Sequence, residues 1–310
     1  MRTLMFTGVM ALMFSTVANG QVGISTDGSN PHPSAMLEVK STSKGILPPR
    51  LTTTERNAIA EPAEGLLIFN STTGCIDYYL GGSWKSLGGV SEPVFQCGMK
   101  MTDARDGRKY NTVKINAQCW MAQNLNIGTR INGTAPMSNE NVIEKYCYND
   151  QESYCAVYGG LYQWGEVAGY LNGTSNYTTW NPVPIGDIQG ICPDGWHIPS
   201  LEEWMELIDY AGGSSLAGGF MKEAGFSHWN LPNAGASNST GYTALPAGKR
   251  DASGTFMENG QISYFWSSSE TSTTGSWSWF IDNNYEFISG FNEYKVNGLS
   301  VRCVMDGASQ

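Results

Sequence analysis

The sequence predicts an α+β domain preceded by a small β-rich module. In the larger part of the chain, helix-like segments lie in the first half and aromatic, strand-like segments in the second, a pattern typical of α+β domains. The smaller part ends in three short strand patterns separated by turn residues. A chain of 310 residues with 41% hydrophobic residues can fill two cores. We therefore predict a module at residues 21–88, a linker at 89–96 and a domain at 97–306.

Residues 1–20 have the pattern of a secretory signal. A single basic residue, Arg2, precedes an apolar run, and Ala18 and Gly20 provide a small-residue cleavage site. The run is shorter than the roughly 20 residues that span a bilayer. We expect Gln21 to begin a mature chain that is secreted or displayed at the cell surface, with no membrane span after signal removal.

The N-terminal module is predicted to be a β-meander beside a short helix. Its strands have the sequences GLLIFN (65–70), CIDYYL (75–80) and SWKSL (83–87). One more strand is expected at 36–39. Thr52 and Glu55 form a capping box, the pattern that starts a helix, and Pro62 ends that helix. Because so small a unit buries little surface, we expect it to pack against a partner or against copies of itself.

The principal helix of the larger domain begins at Leu201, since Ser200 and Glu203 form a second capping box. The 3.6-residue period places five apolar residues on one buried stripe: Leu201, Trp204, Met205, Leu207 and Ile208. Gly212 supplies the stop. The helix also carries four acidic residues: Glu202, Glu203, Glu206 and Asp209. We interpret them as a solvated face with one cap rather than as an acid–base pair.

Shorter patterns complete the predicted domain. Strands are expected at 113–115 and 119–125, short helices at 161–168 and 216–224, and closing strands at 264–268, 277–281 and 299–304. His197 is predicted to be a strand or turn residue beside Trp196. Asp282 and Asn283 offer oxygen ligands for calcium, but a turn between strands is the favoured interpretation of this segment.

Composition argues against several classes of function. The net charge of −10 becomes −11 when the signal is removed, and an acidic surface without a basic cluster disfavours nucleic acid. The three histidines, His32, His197 and His228, lack the spacing of a zinc site. The sequence also lacks a Gly-x-Ser-x-Gly nucleophile motif. We therefore predict no catalytic residue, no cofactor and no metal.

Several motifs resemble known families. Seven blocks carry the main resemblance: DGRKY (106–110), QCWMAQNL (118–125), YGGLYQW (158–164), CPDGWHIPS (192–200), LPAG (245–248), FWSSS (265–269) and VRCV (301–304). Over residues 103–304 the chain resembles the Fibrobacter succinogenes major paralogous domain. Three further blocks lie in the module: SAMLEV (34–39), KGILPPRLT (44–52) and GLLIFN (65–70). They resemble an N-terminal module of secreted, phage-tail-fibre-like proteins of Bacteroidetes, which implies export and surface display.

A more distant resemblance suggests the fold of the domain. The block before the principal helix and the closing Arg302-Cys303 look like those of formylglycine-generating-enzyme relatives, which implies a C-type-lectin-like fold with short helices and a twisted, mostly antiparallel sheet. The same resemblance implies a disulfide between Cys192 and Cys303. The enzymatic relatives hold copper with a cysteine pair shortly before the last strand. This chain has no cysteine between Cys192 and Cys303, so that chemistry is not expected.

The other cysteines suggest two more disulfides. An exported chain with seven cysteines is expected to form disulfides, and the odd count leaves one over. Cys147 and Cys155 flank a short, turn-prone loop, and Cys97 and Cys119 bracket the first strands of the domain. Cys75 is then the odd residue.

The predicted ligand surface consists of aromatic and charged residues in the long loops. Aromatic faces can stack on sugars, and four tryptophans lie in or beside these loops: Trp229, Trp266, Trp277 and Trp279. We select Trp229, Trp266, Arg250 and Glu270 as candidate ligand-binding residues, although a core position is favoured for any single tryptophan.

These patterns predict an exported, noncatalytic surface protein that serves adhesion or recognition of a glycan or a protein. One alternative is an enzyme-like domain related to the formylglycine-generating group. The other is a structural subunit of a surface appendage that self-associates through residues 21–88.

Overall fold

The computed structural model describes residues 20–87, 95–140 and 142–307. The chain divides into two compact units, residues 1–94 and 95–310. The predicted signal, apart from Gly20, and most of the predicted linker lie outside the described residues. Among the helices that are described, none is long and apolar enough to cross a membrane.

The N-terminal unit contains two small sheets and one short helix. Its elements are β1 (Val22–Ser25), β2 (Leu37–Lys40), β3 (Arg50–Leu51), α1 (Thr53–Asn57), β4 (Leu67–Asn70), β5 (Cys75–Leu80) and β6 (Ser83–Leu87). Strands β1 and β2 pair in parallel, and β3 to β6 form a second sheet in sequence order. The predicted meander and the helix capped by Thr52 and Glu55 are confirmed. Strand β1 was not predicted.

The second unit combines many short strands with few short helices, in agreement with the α+β prediction. Its strands are β7 (Met101–Thr102), β8 (Lys109–Tyr110), β9 (Thr112–Ile115), β10 (Gln118–Met121), β11 (Thr129–Arg130), β12 (Glu144–Lys145), β13 (Trp196–His197), β14 (Lys249–Arg250), β15 (Phe256–Met257), β16 (Ile262–Glu270), β17 (Gly275–Asp282), β18 (Ile288–Tyr294) and β19 (Val304–Met305). Its helices are α2 (Glu152–Tyr158), α3 (Trp164–Val167), α4 (Leu201–Tyr210) and α5 (Ala217–Met221), with 3-10 turns at Tyr148–Asp150 and Leu171–Gly173.

Two sheets organise this unit. One is antiparallel and has the strand order β13-β19-β10-β9, and the other is the antiparallel meander β16-β17-β18. The closing strand predicted at 299–304 is only partly correct, because the strand begins at Val304. Strand β18 was missed, since glycine and polar residues interrupt its apolar pattern.

Helix α4 begins where the sequence predicted. The Ser200 side chain accepts a hydrogen bond from the backbone of Glu203, and the Glu203 carboxylate accepts one from the backbone of Ser200. Trp204, together with Leu207 and Ile208, is buried in an apolar cluster. Met205 is an exception to the predicted stripe because it is 51% exposed.

Three disulfides cross-link the second unit. They join Cys97 to Cys119, Cys147 to Cys155 and Cys192 to Cys303, the same pairs that the sequence analysis proposed. Cys75 is unpaired in the described part of the chain. The Cys192–Cys303 bond links the segment before α4 to the residue preceding β19.

Candidate functional site

The two tryptophans selected as ligand contacts belong to the core. Trp229 and Trp266 are both buried. The Trp229 Nε1–H donates to the carbonyl oxygen of Ala244 at 2.9 Å, and the Trp266 Nε1–H donates to that of Tyr162 at 2.8 Å. The expectation of exposed stacking faces is therefore wrong at these two positions, because the rings fill the interior and their polar atoms are already paired.

Arg250 is also an internal residue rather than a ligand contact. Its Nε–H donates to the carbonyl oxygen of Gly133 at 2.7 Å, and its Nη1–H donates to that of Val296 at 3.0 Å. The guanidinium lies 4.6 Å from the ring centre of Tyr146. Because these contacts use the charged group, Arg250 holds separate loops together, and its predicted ligand role is corrected to a structural one.

Of the other loop tryptophans, Trp279 is buried and Trp277 is half-buried. The segment that could have held calcium forms a turn after β17, as the favoured interpretation predicted. Within it, the amide of Asn283 donates to the carbonyl oxygen of Leu231 at 2.8 Å, and Asp282 accepts from the backbone of Asn284 at 2.6 Å.

Glu270 lines a surface cleft, so one of the four selected residues does lie at a candidate site. Its carboxylate accepts hydrogen bonds from Lys295 Nζ at 2.6 Å, from Thr174 Oγ1 at 2.6 Å and from the backbone of Trp180 at 3.0 Å. The Lys295 ammonium also lies 4.6 Å from the ring centre of Trp164. Burial lowers the pKa of Lys295, whereas the hydrogen bond and charge of Glu270 oppose that change.

The cleft is built from three segments: the loop at 179–188, the start of α4 and the end of β16. Its cavity volume is about 450 Å³. Hydroxyl groups form much of its polar wall, on Thr179, Ser200, Ser268, Ser269, Thr271 and Ser272. Apolar surface comes from Trp180, Val183, Pro184 and Ile188. Lys295 neutralises the charge of Glu270, so the residues that line the cleft present a polar surface without excess charge. Hydroxyls both donate and accept hydrogen bonds, so the cleft can pair with neutral polar groups such as sugar hydroxyls.

Sequence reasoning found only part of this cleft. Ser268 lies in the FWSSS block, Glu270 follows directly after it, and Ser200 was identified as a helix cap. The loop that contributes Trp180 and Val183 gave no signal, because its sequence has neither helical nor strand periodicity.

A second polar centre surrounds His197. The imidazole is buried in β13, and its two nitrogens lie 2.8 Å from carboxylate oxygens of Glu203 and Asp306. Burial alone would lower the pKa of His197, but the hydrogen bond and charge of Glu203, together with Asp306, raise it to about 9. His197 with Asp187 and Asp306 has the proximity of a metal-ligand set. Both imidazole nitrogens are engaged by carboxylates, so we interpret this cluster as a charged cross-link.

The fold and the cleft define a disulfide-braced α+β domain joined to a small β unit. The chain belongs to the Fibrobacter succinogenes major domain family, whose model matches residues 113–305. Residues 23–102 match the model of the phage tail-like trimerisation region. The resemblances to the Fibrobacter succinogenes major domain and to a phage-tail-fibre-like N-terminal module are thus confirmed. The more distant resemblance to formylglycine-generating-enzyme relatives stays a prediction. Comparison with curated proteins and with solved structures finds no match.

Proposed function

We propose that this protein is an exported surface protein that forms a trimer through its N-terminal unit and recognises glycans through its C-terminal domain without chemical turnover. The observation that carries the assembly step is the exposure of apolar side chains on the N-terminal unit. Its similarity to a phage tail-like trimerisation region supports an assembly of three copies. The three disulfides support an oxidising, extracellular setting.

The described part of the N-terminal unit, residues 20–87, lacks an apolar core of its own. Within residues 20–87, Ile68 is the one apolar residue that is fully buried. Exposed apolar residues include Val22, Ile24, Met36, Leu37, Ile46, Leu47, Leu67, Leu80 and Leu87. Leu47, for example, is 85% exposed. Since a small sheet needs a covered apolar face for stability, further copies of the same unit would supply that cover.

If the protein is a trimer, its molar mass in solution should be three times that of one chain. The chain beginning at Gln21 should behave in light scattering as a species of three chains. Placing a charge on the exposed strand β2, with Leu37→Glu, should shift the protein towards monomer, because a carboxylate would be buried without a partner. Thr73→Glu adds the same charge at an exposed turn and should leave the trimer intact. A monomeric parent chain at micromolar concentration would contradict this proposal.

The cleft beside Glu270 is the proposed recognition surface of the C-terminal domain. Neutral hydroxyls and an apolar wall suit a sugar ring, which has both hydroxyl groups and apolar faces. We further propose a C-type-lectin-like fold for this domain, and the Cys192–Cys303 bond before the principal helix supports it. Three linked copies would raise the apparent affinity for a repeated surface ligand.

Glycan binding can be tested by obstructing the cleft. The chain from Gln21 should bind a subset of a glycan array, and Thr179→Trp should weaken that binding by about tenfold or more because the indole fills the cavity. Tyr177→Trp is the matched control, since Tyr177 is exposed two residues before Thr179 and does not line the cleft. We expect binding to survive EDTA and the glycan to be recovered unchanged. Equal binding by both variants, or product formation, would contradict the proposal.

A further inference from the structure

Strands β1 and β2 form a two-stranded ribbon that has one apolar face. Side chains alternate along a strand, and residues that pair across two strands point to the same side. Val22 pairs with Leu37, and the residues two positions further along, Ile24 and Val39, also pair. We call the side that carries these four residues the ribbon face. Val22 and Leu37 are 54% and 59% exposed, so the ribbon face is open in a single chain.

The opposite side of the ribbon is covered by the segment that connects its two strands. A Cβ at Gly23 would lie 2.9 Å from the ring of Pro31, so this segment packs directly on β1. On β2, the Glu38 carboxylate accepts a hydrogen bond from the backbone N–H of His32 at 2.6 Å. The connection therefore protects the polar side of the ribbon and leaves the apolar side exposed.

The larger sheet, β3 to β6, also has one covered side and one open side. Helix α1 covers the first, where Arg56 Nη1 donates to the Asp77 carboxylate at 2.6 Å and the guanidinium lies 5.6 Å from the ring centre of Trp84. The strand pairing places six apolar or aromatic residues on the other side, which we call the sheet face: Leu67, Phe69, Ile76, Tyr78, Leu80 and Leu87. Leu67 and Leu87 are 47% and 52% exposed, so the sheet face is open as well.

Residues 41–49 connect the ribbon to the larger sheet and form neither helix nor strand. Among the described residues, no hydrogen bond or ion pair joins residues 20–44 to residues 45–87. Ile46, within the connection, is 68% exposed. Pro48 and Pro49 favour an extended backbone, and nine extended residues reach up to about 30 Å. The connection is therefore long enough for the ribbon to pack on a neighbouring copy of the chain.

A closed ring of three copies needs two different contact surfaces on each copy. A threefold axis does not exchange two neighbouring copies, so each copy contacts the one before it with one surface and the one after it with another. The ribbon face and the sheet face are two such surfaces on one unit. Both are apolar and built from strands, and apolar faces of two sheets pack against each other in β-sandwiches.

We propose that the ribbon face of each copy packs on the sheet face of the next copy around the ring. This inference rests on the proposed trimer and specifies the surfaces that form it. A two-stranded ribbon is marginally stable by itself, and the sheet of the neighbouring copy supplies the second layer that it lacks. The connection at 41–49 crosses between the copies, so the neighbour also covers the exposed side chains of Ile46 and Leu47.

The test is cross-linking between single cysteines introduced into the whole chain that begins at Gln21. Cys75, the one unpaired cysteine in the described part of the chain, is first replaced by serine. A tagged chain carries Leu37→Cys on the ribbon face, and an untagged chain carries Ile76→Cys on the sheet face. After co-expression and treatment with a short bismaleimide, the two chains should form a covalent dimer. Either chain alone should not cross-link, because each introduced thiol then faces a surface without one.

Two further chains serve as controls. Thr54→Cys replaces Ile76→Cys in the first, and it should not cross-link to the Leu37→Cys chain, because Thr54 is exposed on α1 at the covered side of the sheet. The second carries Leu37→Cys and Ile76→Cys together. It should give covalent trimers, because all three contacts of the ring can then react.

A charge on the sheet face provides an independent measurement. Ile76→Lys should shift the protein to monomer in light scattering, as is expected for Leu37→Glu, because the ammonium would be buried without a partner. Its circular dichroism should match that of the parent chain, since Ile76 is exposed in a single copy.

A monomeric parent chain would contradict both the trimer and this arrangement of it. Four results with a trimeric parent would overturn the arrangement alone. The mixed chains give no covalent dimer, or a single-cysteine chain cross-links to itself as well as the mixture does, which would place like faces together at the threefold axis. The chain with both cysteines gives only an internally linked monomer, which would place the ribbon on its own sheet. Finally, Ile76→Lys stays trimeric, which would exclude the sheet face from the contact.

Discussion

Replacing Cys192 and Cys303 together by alanine should lower the free energy of unfolding of the C-terminal unit by about 4–5 kcal/mol. The bond closes a loop with a sequence separation of 111 residues, and the entropy that a cross-link removes from the unfolded chain grows with loop length. Both sulfurs are buried, so alanine avoids placing new polar atoms in the core. Denaturant unfolding followed by tryptophan fluorescence provides the measurement. It reports mainly on this unit, because nine of the ten tryptophans lie in it.

The matched control is the same replacement at Cys147 and Cys155. These cysteines are also buried but are only 8 residues apart. Removing their bond should therefore lower the free energy of unfolding by only about 2.5 kcal/mol. The two variants should therefore differ by about 2 kcal/mol in the free energy of unfolding. Equal losses would show that local packing around each bond, rather than loop length, determines its contribution.

Local sequence patterns predicted the parts of the fold that depend on neighbouring residues. A capping box needs only two side chains three residues apart, so the starts of α1 and α4 could be read directly. The meander of β4 to β6 has turn residues at both connections, which fixed its strands. Strand β1 was missed because it is short and its parallel partner β2 lies beyond an irregular segment rich in Ser, Pro, Gly and Asn, so no hairpin pattern links the two strands.

Local sequence patterns could not predict which residues of the loop-rich region are buried. Trp229 lies in a segment without periodicity, yet its indole packs in the core and bonds to Ala244. The aromatic content of such a segment is compatible with either a ligand surface or a core, and only the path of the chain decides between them. Arg250 illustrates the same limit, since its hydrogen-bond acceptors lie 117 and 46 residues away in the sequence.

The candidate sites were predictable only in part for a related reason. Glu270 was selected for its charge beside aromatic residues, but its pairing with Lys295 depends on the connection between β16 and β18.

Replacing Trp204 by alanine should cost about 3–5 kcal/mol in the free energy of unfolding, because it leaves a large cavity at the centre of a buried cluster. The ring of Trp204 lies 5.1 Å from that of Trp120 and 5.5 Å from that of Phe265, measured between ring centres. Met205→Ala, one residue along the same helix, should change the free energy by less than about 0.5 kcal/mol, because Met205 is exposed. Ser200→Ala should lower the free energy of unfolding by an intermediate amount, about 1 kcal/mol, because it removes only the helix cap. Urea unfolding of the three variants measures this order. If Met205→Ala lowered the free energy of unfolding as much as Trp204→Ala, the exposed position of Met205 would be wrong. The helix would then bury the whole apolar stripe that its sequence predicts.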